Sequence, residues 1–295
     1  MLTGGAEFVV RGSVSLGKKL KISLFAIGVV VVSAGTSLPE LANCVRAVIS
    51  NHPDIAVGDI VGSNIANIIL IMGATTLLYP ISGVTQNQIN QAIINIIIAF
   101  VLIAMSLLLI QFNLIFGVLA LISLTLIMVY QVKVGSLNFS DVEEQGEYSL
   151  LISIAFIIIG VLFLVYGSKY FVSAAVNIAT AYGIPESVIG VSLVAFGTSL
   201  PELAVGVLSA LRKKVDFALG NVLGSNIYNV LGVLGVSSFF GQFSIPPLIA
   251  SFDLYVMTAV IVMITVFMFA FKRLGRTYGI LSLAIYISFI GYLYI

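Results

Sequence analysis

The hexapeptide Gly-Thr-Ser-Leu-Pro-Glu occurs twice, at Gly35 to Glu40 and at Gly197 to Glu202, each time inside a stretch of almost uninterrupted apolar residues. A carboxylate at bilayer depth costs about 2.5 to 3.5 kcal/mol on insertion scales, so two of them mark a function such as holding a cation. Pro39 and Pro201 have no N–H, so the carbonyls of Gly35 and Gly197, four residues earlier, lose their helical donors and become available. The hydroxyls of Thr36, Ser37, Thr198 and Ser199, with Glu40 and Glu202, place hard oxygen donors around one break in each of two helices. Oxygen-only coordination that includes carboxylates suits calcium and sodium rather than zinc or copper.

A second pair of signatures follows, Gly58 to Asn67 and Gly220 to Asn229. Asp59, Ser63 and Asn67 recur every four residues and share one helix face, as do Asn221, Ser225 and Asn229. Each stripe directly follows a glutamate-bearing helix, which makes Ser63, Asn67, Ser225 and Asn229 candidate ligands. The competing role is helix packing through small residues and interhelical hydrogen bonds, and packing is the role expected of Gly62 and Gly224.

The elements that carry these groups belong to a duplicated chain. Shifting the sequence by 162 positions aligns Ile27 to Gly73 with Ile189 to Gly235 without a gap, and 22 of those 47 positions are identical. The chain is 60% hydrophobic and 8% charged, with a mean hydropathy of +1.18, which excludes a soluble globular domain. Continuous apolar runs predict helices rather than a barrel. Spans are expected near 22–50, 55–82, 92–110, 112–132, 149–172, 183–211, 216–241, 252–271 and 277–295. Met1 to Ser13 aligns with only the latter part of the helix that begins near Leu150, so the first span reads as truncated, with eight to thirteen residues present and a start expected further upstream.

Ten spans, five per repeat, force the second copy to enter the membrane from the opposite side. The expected fold is therefore an all-α polytopic membrane protein of two inverted five-helix repeats, residues 1–132 and 149–295, joined by a linker at 133–148. Arg11, Lys18, Lys19, Lys21, Lys133, Arg212, Lys213, Lys214, Lys272, Arg273 and Arg276 fall on one side, with Arg46 and Lys169 towards the other. The basic side, including the linker, is expected to be cytoplasmic in a multi-pass cell-membrane protein. Inverted repeats with interrupted helices are the construction of secondary transporters. The linker's Asp141, Glu143, Glu144 and Glu147 lack the ordered spacing of an EF-hand loop and read as solvated. Cys44 is expected to pack between helices, and His52 to lie in a polar turn without chemistry.

Paired Gly-Thr-Ser-Leu-Pro-Glu and Gly-x-x-x-Gly-Ser-Asn-Ile-x-Asn segments in such repeats resemble the sodium/calcium exchangers of the cation/calcium antiporter superfamily, prokaryotic branch, over essentially the whole chain. The resemblance implies antiport of sodium and calcium ions, no enzymatic activity and no cofactor. Its partners would be those ions and the lipid bilayer, with no nucleic acid, and a monomer is compatible with it. It implies that the helices matching 22–50, 55–82, 183–211 and 216–241 surround several cation sites. The implied ligands are Thr36, Ser37, Glu40, Ser63 and Asn67, with Thr198, Ser199, Glu202, Ser225 and Asn229, plus the backbone carbonyls of Ser33 and Ala195. It further implies that the first helix and its counterpart near Leu150 gate the site rather than bind ions.

Two departures stand out. Asn229 occupies a position where some prokaryotic and potassium-dependent relatives carry Asp, and Asp59 replaces a common amide. Proton/calcium exchange, or transport of magnesium or another divalent cation, is the nearest rival on the same fold. A channel would need no inverted pair of half-sites, and an intramembrane enzyme would need a nucleophile with a base or a histidine pair.

Overall fold

A computed structural model describes residues 1–137, 148–181 and 195–293. The helices are α1 (Leu2–Leu20), α2 (Leu24–Thr36), α3 (Leu38–Ile49), α4 (Pro53–Leu78), α5 (Gln86–Leu107), α6 (Leu114–Leu137) and α7 (Leu150–Ala181), followed by α8 (Ala195–Thr198), α9 (Leu200–Leu211), α10 (Val215–Ser237), α11 (Pro247–Ser251), α12 (Asp253–Phe271) and α13 (Arg276–Leu293). Among the described residues six helices are long and apolar enough to cross a membrane, and the pair α2–α3, bent by 43°, makes a seventh. The bend falls at Ser37, just before the proline that cannot donate to the preceding turn. Large apolar side chains such as Ile97, Phe100, Leu119, Ile122, Leu126 and Ile158 face outward, as lipid-facing surfaces do. The apolar stretches of α4 and α10 are instead 72% and 89% buried, which makes these two helices the centre of the fold.

The inversion is visible directly. Helices α1 and α7 are equivalent under the 162-residue shift, yet they run antiparallel: Gly5 lies against Gly160, and Gly12 against Ser153. A Cβ added at Gly5 would stand 2.8 Å from the Gly160 carbonyl oxygen, and one at Gly160 would stand 2.7 Å from that of Gly5, so only glycine lets these backbones meet.

Backbone ties define the two faces. On one face β1 (Ile81–Ser82) pairs antiparallel with β2 (Arg273–Leu274). There too Ser23 N–H donates to the Gly135 carbonyl at 3.0 Å, and Tyr148 N–H donates to Ser15 Oγ at 3.3 Å. This face gathers Lys18, Lys19, Lys21, Lys133, Arg212, Lys213, Lys214, Lys272, Arg273 and Arg276. On the opposite face Phe112 and Phe243 exchange two backbone bonds of 2.7 and 3.1 Å. A buried polar belt on α5 braces α10 from the lysine-rich side inward: Gln88 Nε2 donates to Asp216 at 2.8 Å, Gln91 meets Gln131 of α6, and Asn95 Nδ2 donates to the Leu223 carbonyl at 3.2 Å.

Two expectations are corrected. Helix α1 has 19 residues rather than eight to thirteen, because the helix continues past Ser13 through Gly17, Lys18 and Lys19; it remains shorter than its counterpart α7, which has 32. Its length gives α1 about 28 Å of rise at 1.5 Å per residue. Its Met1 and Leu2 meet Gly167, about halfway along α7. Helix α6 runs to Leu137, five residues into the stretch assigned to the linker, because nothing from Lys133 to Leu137 breaks a helix. The rest of that linker, including the acidic cluster, and residues 183–194 of the seventh expected span lie outside the described residues.

Candidate cation site

Both hexapeptides fold alike. Ser37 (φ −81°, ψ 8°) and Ser199 (φ −81°, ψ 2°) leave the helix in the same way, and the following segments α3 and α9 restart with Pro39 and Pro201 in their first turns. Glu40 and Glu202 are therefore first-turn residues, placed where unpaired N–H groups favour negative charge. Both are buried, at 1% and 0% exposure. Burial to that degree in a membrane core demands a compensating partner, and protein groups supply only part of one. Ser63 Oγ donates to Glu40 Oε1 at 3.5 Å and Ser225 Oγ to Glu202 Oε1 at 3.4 Å, while Oε2 of each glutamate has no hydrogen-bond partner.

The two half-sites interlock across the repeats. Thr36 Oγ1 donates to Asn221 Oδ1 and Thr198 Oγ1 donates to Asp59 Oδ1, both at 3.2 Å. Thr36 Oγ1 also stands 3.4 Å from Ser225 Oγ, and Ser199 Oγ lies 3.3 Å from Ser63 Oγ. Seven of the ten side chains expected as ligands, all but Ser37, Asn67 and Asn229, thus join in these contacts where α2–α3 and α8–α9 cross α4 and α10. Besides the glutamate oxygens, Ser37 Oγ, Asn67 Oδ1 and Asn229 Oδ1 are buried without partners. Among the described residues no group of three or more His, Cys, Asp or Glu side chains gathers at metal-ligand distance. An ion here would be held by two glutamates and several neutral oxygens, a donor set for hard cations that also lets them leave.

The backbone donors come out differently. The Ser33 carbonyl accepts Ser37 N–H at 3.0 Å and keeps a second lone pair, since the one proton of the Thr36 hydroxyl, 3.4 Å away, serves the closer Asn221 Oδ1. Ala195 opens α8, and its side chain lies outside the described residues. The carbonyl of Gly197, expected to be freed by Pro201, is taken by the hydroxyl of Ser168 on α7. At Gly35 the equivalent position on α1 is Ala6, which has no hydroxyl to offer.

Sequence reasoning overlooked the residues at the axis of the site. Asn64 and Asn226, equivalent under the 162-residue shift, each donate Nδ2 to the other's backbone carbonyl at 3.3 Å. Asn67 Nδ2 donates to Asn226 Oδ1 at 2.8 Å, and Asn229 Nδ2 donates to Asn64 Oδ1 at 3.0 Å. This closed ring holds α4 against α10 and turns the amide oxygens of Asn67 and Asn229 away from it. Both helices pass into a π-helical turn here, at Asn67–Ile71 and Tyr228–Leu234, which shifts the residues beyond onto a new face. Gly224 packs as expected, since a Cβ there would come within 2.7 Å of Ser33 Oγ. Cys44 is buried, its Sγ 3.4 Å from the Ala56 carbonyl.

Comparison with known proteins identifies the family. A family profile described as sodium/calcium exchanger protein matches residues 1–135 and 152–295. The chain belongs to that family. An uncharacterized membrane protein of Methanocaldococcus jannaschii, MJ0091, is 34% identical over 97% of this exchanger and 92% of its own length. The sodium/calcium exchanger MaX1 of Methanosarcina acetivorans is 30% identical over 99% and 95%. A solved structure of the sodium-calcium exchanger NCX_Mj, soaked with sodium, superposes with a TM-score of 0.86 at 34% identity, covering 98% of this exchanger and 94% of that chain.

Proposed function

We propose that this exchanger is a secondary antiporter that moves sodium ions against calcium across the cell membrane, with Glu40 and Glu202 as the charged ligands of one shared site. Ser37, Asn67 and Asn229 lend neutral oxygens, with Thr36, Ser63, Thr198, Ser199 and Ser225 shaping the cluster. Buried oxygens without hydrogen-bond donors, drawn from both repeats, carry this reading. Two glutamates neutralise one calcium ion or two sodium ions. An empty site would leave their charge uncompensated in a dry layer, so the site crosses loaded, and coupled exchange follows.

The lysine-rich face, with the linker between the repeats, is cytoplasmic by the positive-inside rule. The single chain carries both half-sites and works as a monomer. The test is calcium uptake into proteoliposomes under imposed sodium, proton or potassium gradients. A sodium gradient should drive uptake. Equal uptake from a proton gradient in sodium-free buffer would favour proton/calcium exchange instead.

A further inference from the structure

The site obeys the relation between the repeats at nearly every polar position, and Asp59 breaks it. Its counterpart under the 162-residue shift is Asn221. The two side chains have the same place and the same neighbour: each accepts, at 3.2 Å, the hydroxyl of a hexapeptide threonine from the other repeat. Each lies one helical turn before the serine that meets a glutamate, towards the start of its own helix. Those starts are on opposite faces. Helix α10 begins beside Lys213 and Lys214 on the lysine-rich face, whereas α4 begins beyond the Asn51-His52 turn on the face where Phe112 meets Phe243. The cluster is thus flanked by a carboxylate on one side and by a neutral amide on the other.

Asp59 commits only one oxygen to Thr198. The other, Oδ2, is enclosed, and the Asn43 side chain is the carboxyl's second hydrogen-bonding neighbour. Glu40 lies within electrostatic reach of Asp59, so a cation held there is already next to the central site.

We propose that Asp59, with the Thr198 hydroxyl, forms a cation-capture site on the face where α4 begins, giving the exchanger a higher affinity for divalent cations from that face than from the lysine-rich one. A carboxylate attracts calcium far more strongly than an amide oxygen does, and twice as strongly as it attracts sodium at the same distance. Calcium arriving from that face meets Asp59 first and steps one turn inward to Ser63 and the glutamates. From the lysine-rich face it meets only Asn221.

This inference rests on the antiport reading. If the unaltered protein shows no sodium-driven calcium flux, that reading fails, whereas a flux without the asymmetry overturns the inference alone. The experiment measures half-saturating calcium separately from each face, in right-side-out and inside-out vesicles, for the unaltered chain, Asp59→Asn and Asn221→Asp. Asp59→Asn should raise the half-saturating concentration about tenfold on the α4 face and leave the lysine-rich face within about twofold. Asn221→Asp should lower it on the lysine-rich face. Unchanged values, or equal shifts on both faces, would overturn the proposal. If Asp59→Asn does not fold, Asn221→Asp decides the matter alone: the lysine-rich face gains affinity, or the proposal is wrong.

Discussion

Replacing Asn226 by alanine tests the asparagine ring at one of its two most connected points. The change removes the donor to the Asn64 carbonyl and the acceptor for Asn67 Nδ2, contacts of 3.3 and 2.8 Å between residues that are 1% exposed. A buried polar group left unpaired costs about 1 to 3 kcal/mol. Interhelical hydrogen bonds in membranes average nearer 0.6 kcal/mol, because the unfolded chain in lipid also finds partners. Two lost bonds therefore predict a destabilisation of about 1 to 3 kcal/mol, with the lower end favoured. Denaturant unfolding in detergent micelles gives the number, and a double-mutant cycle with Asn64→Ala isolates the coupling, expected at about 0.5 to 1.5 kcal/mol because the two residues touch directly within one ring. Transport should suffer more than stability does. Without Asn226 Oδ1 the Asn67 amide is free to rotate, its oxygen loses the orientation the proposed ion site needs, and half-saturating calcium should rise. A stability change under about 0.3 kcal/mol with strictly additive single effects would refute the idea that this ring holds the two helices together.

Glu40→Gln and Glu202→Gln should each abolish sodium-driven calcium uptake while the protein stays monodisperse, since amides keep the volume of the side chains and remove repulsion between them; undiminished uptake in both would remove the glutamates from the site. Calcium uptake is expected to be indifferent to potassium, because Asn229 supplies a neutral oxygen, and a potassium requirement that appears in the unaltered protein would contradict this. Ser168→Ala should destabilise by about 1 to 2 kcal/mol in micelles by leaving the Gly197 carbonyl without its donor, and the loss should be smaller if a site ion takes that oxygen, so thermal shifts with and without sodium distinguish the cases.

Much of this was legible because bilayer chemistry simplifies the code. Uninterrupted apolar runs can only be helices, prolines inside them can only be breaks, and glutamates there need a reason. The extent of α1 past Ser13 was not legible, since Lys18 and Lys19 end the apolar run without ending the helix; Glu7 pairs with Arg11 and with Arg212 of the second repeat at 2.6 Å. Asn64 and Asn226 were overlooked because they sit one residue off the four-residue stripe, and only the crossing of α4 with α10 shows that they face each other. The Gln88, Gln91 and Asn95 belt did carry a signal, three amides on one face of an otherwise apolar helix, but its partners Gln131, Leu223 and Asp216 come from helices far away in sequence.

A residue lying near the axis that relates two copies of a gene is bound to its own duplicate. A change at Asn64 is felt by Asn226, which in turn contacts Asn67, so neither copy can drift there without the other's consent. Away from the axis each copy has separate neighbours and is free to specialise. The chain shows that gradient in its own two halves: 63 and 225, 64 and 226, and 67 and 229 have stayed the same, whereas 59 and 221, 6 and 168, and 7 and 169 have parted. Duplication supplied the symmetric cage, and divergence at its margins is where this exchanger acquired a front and a back.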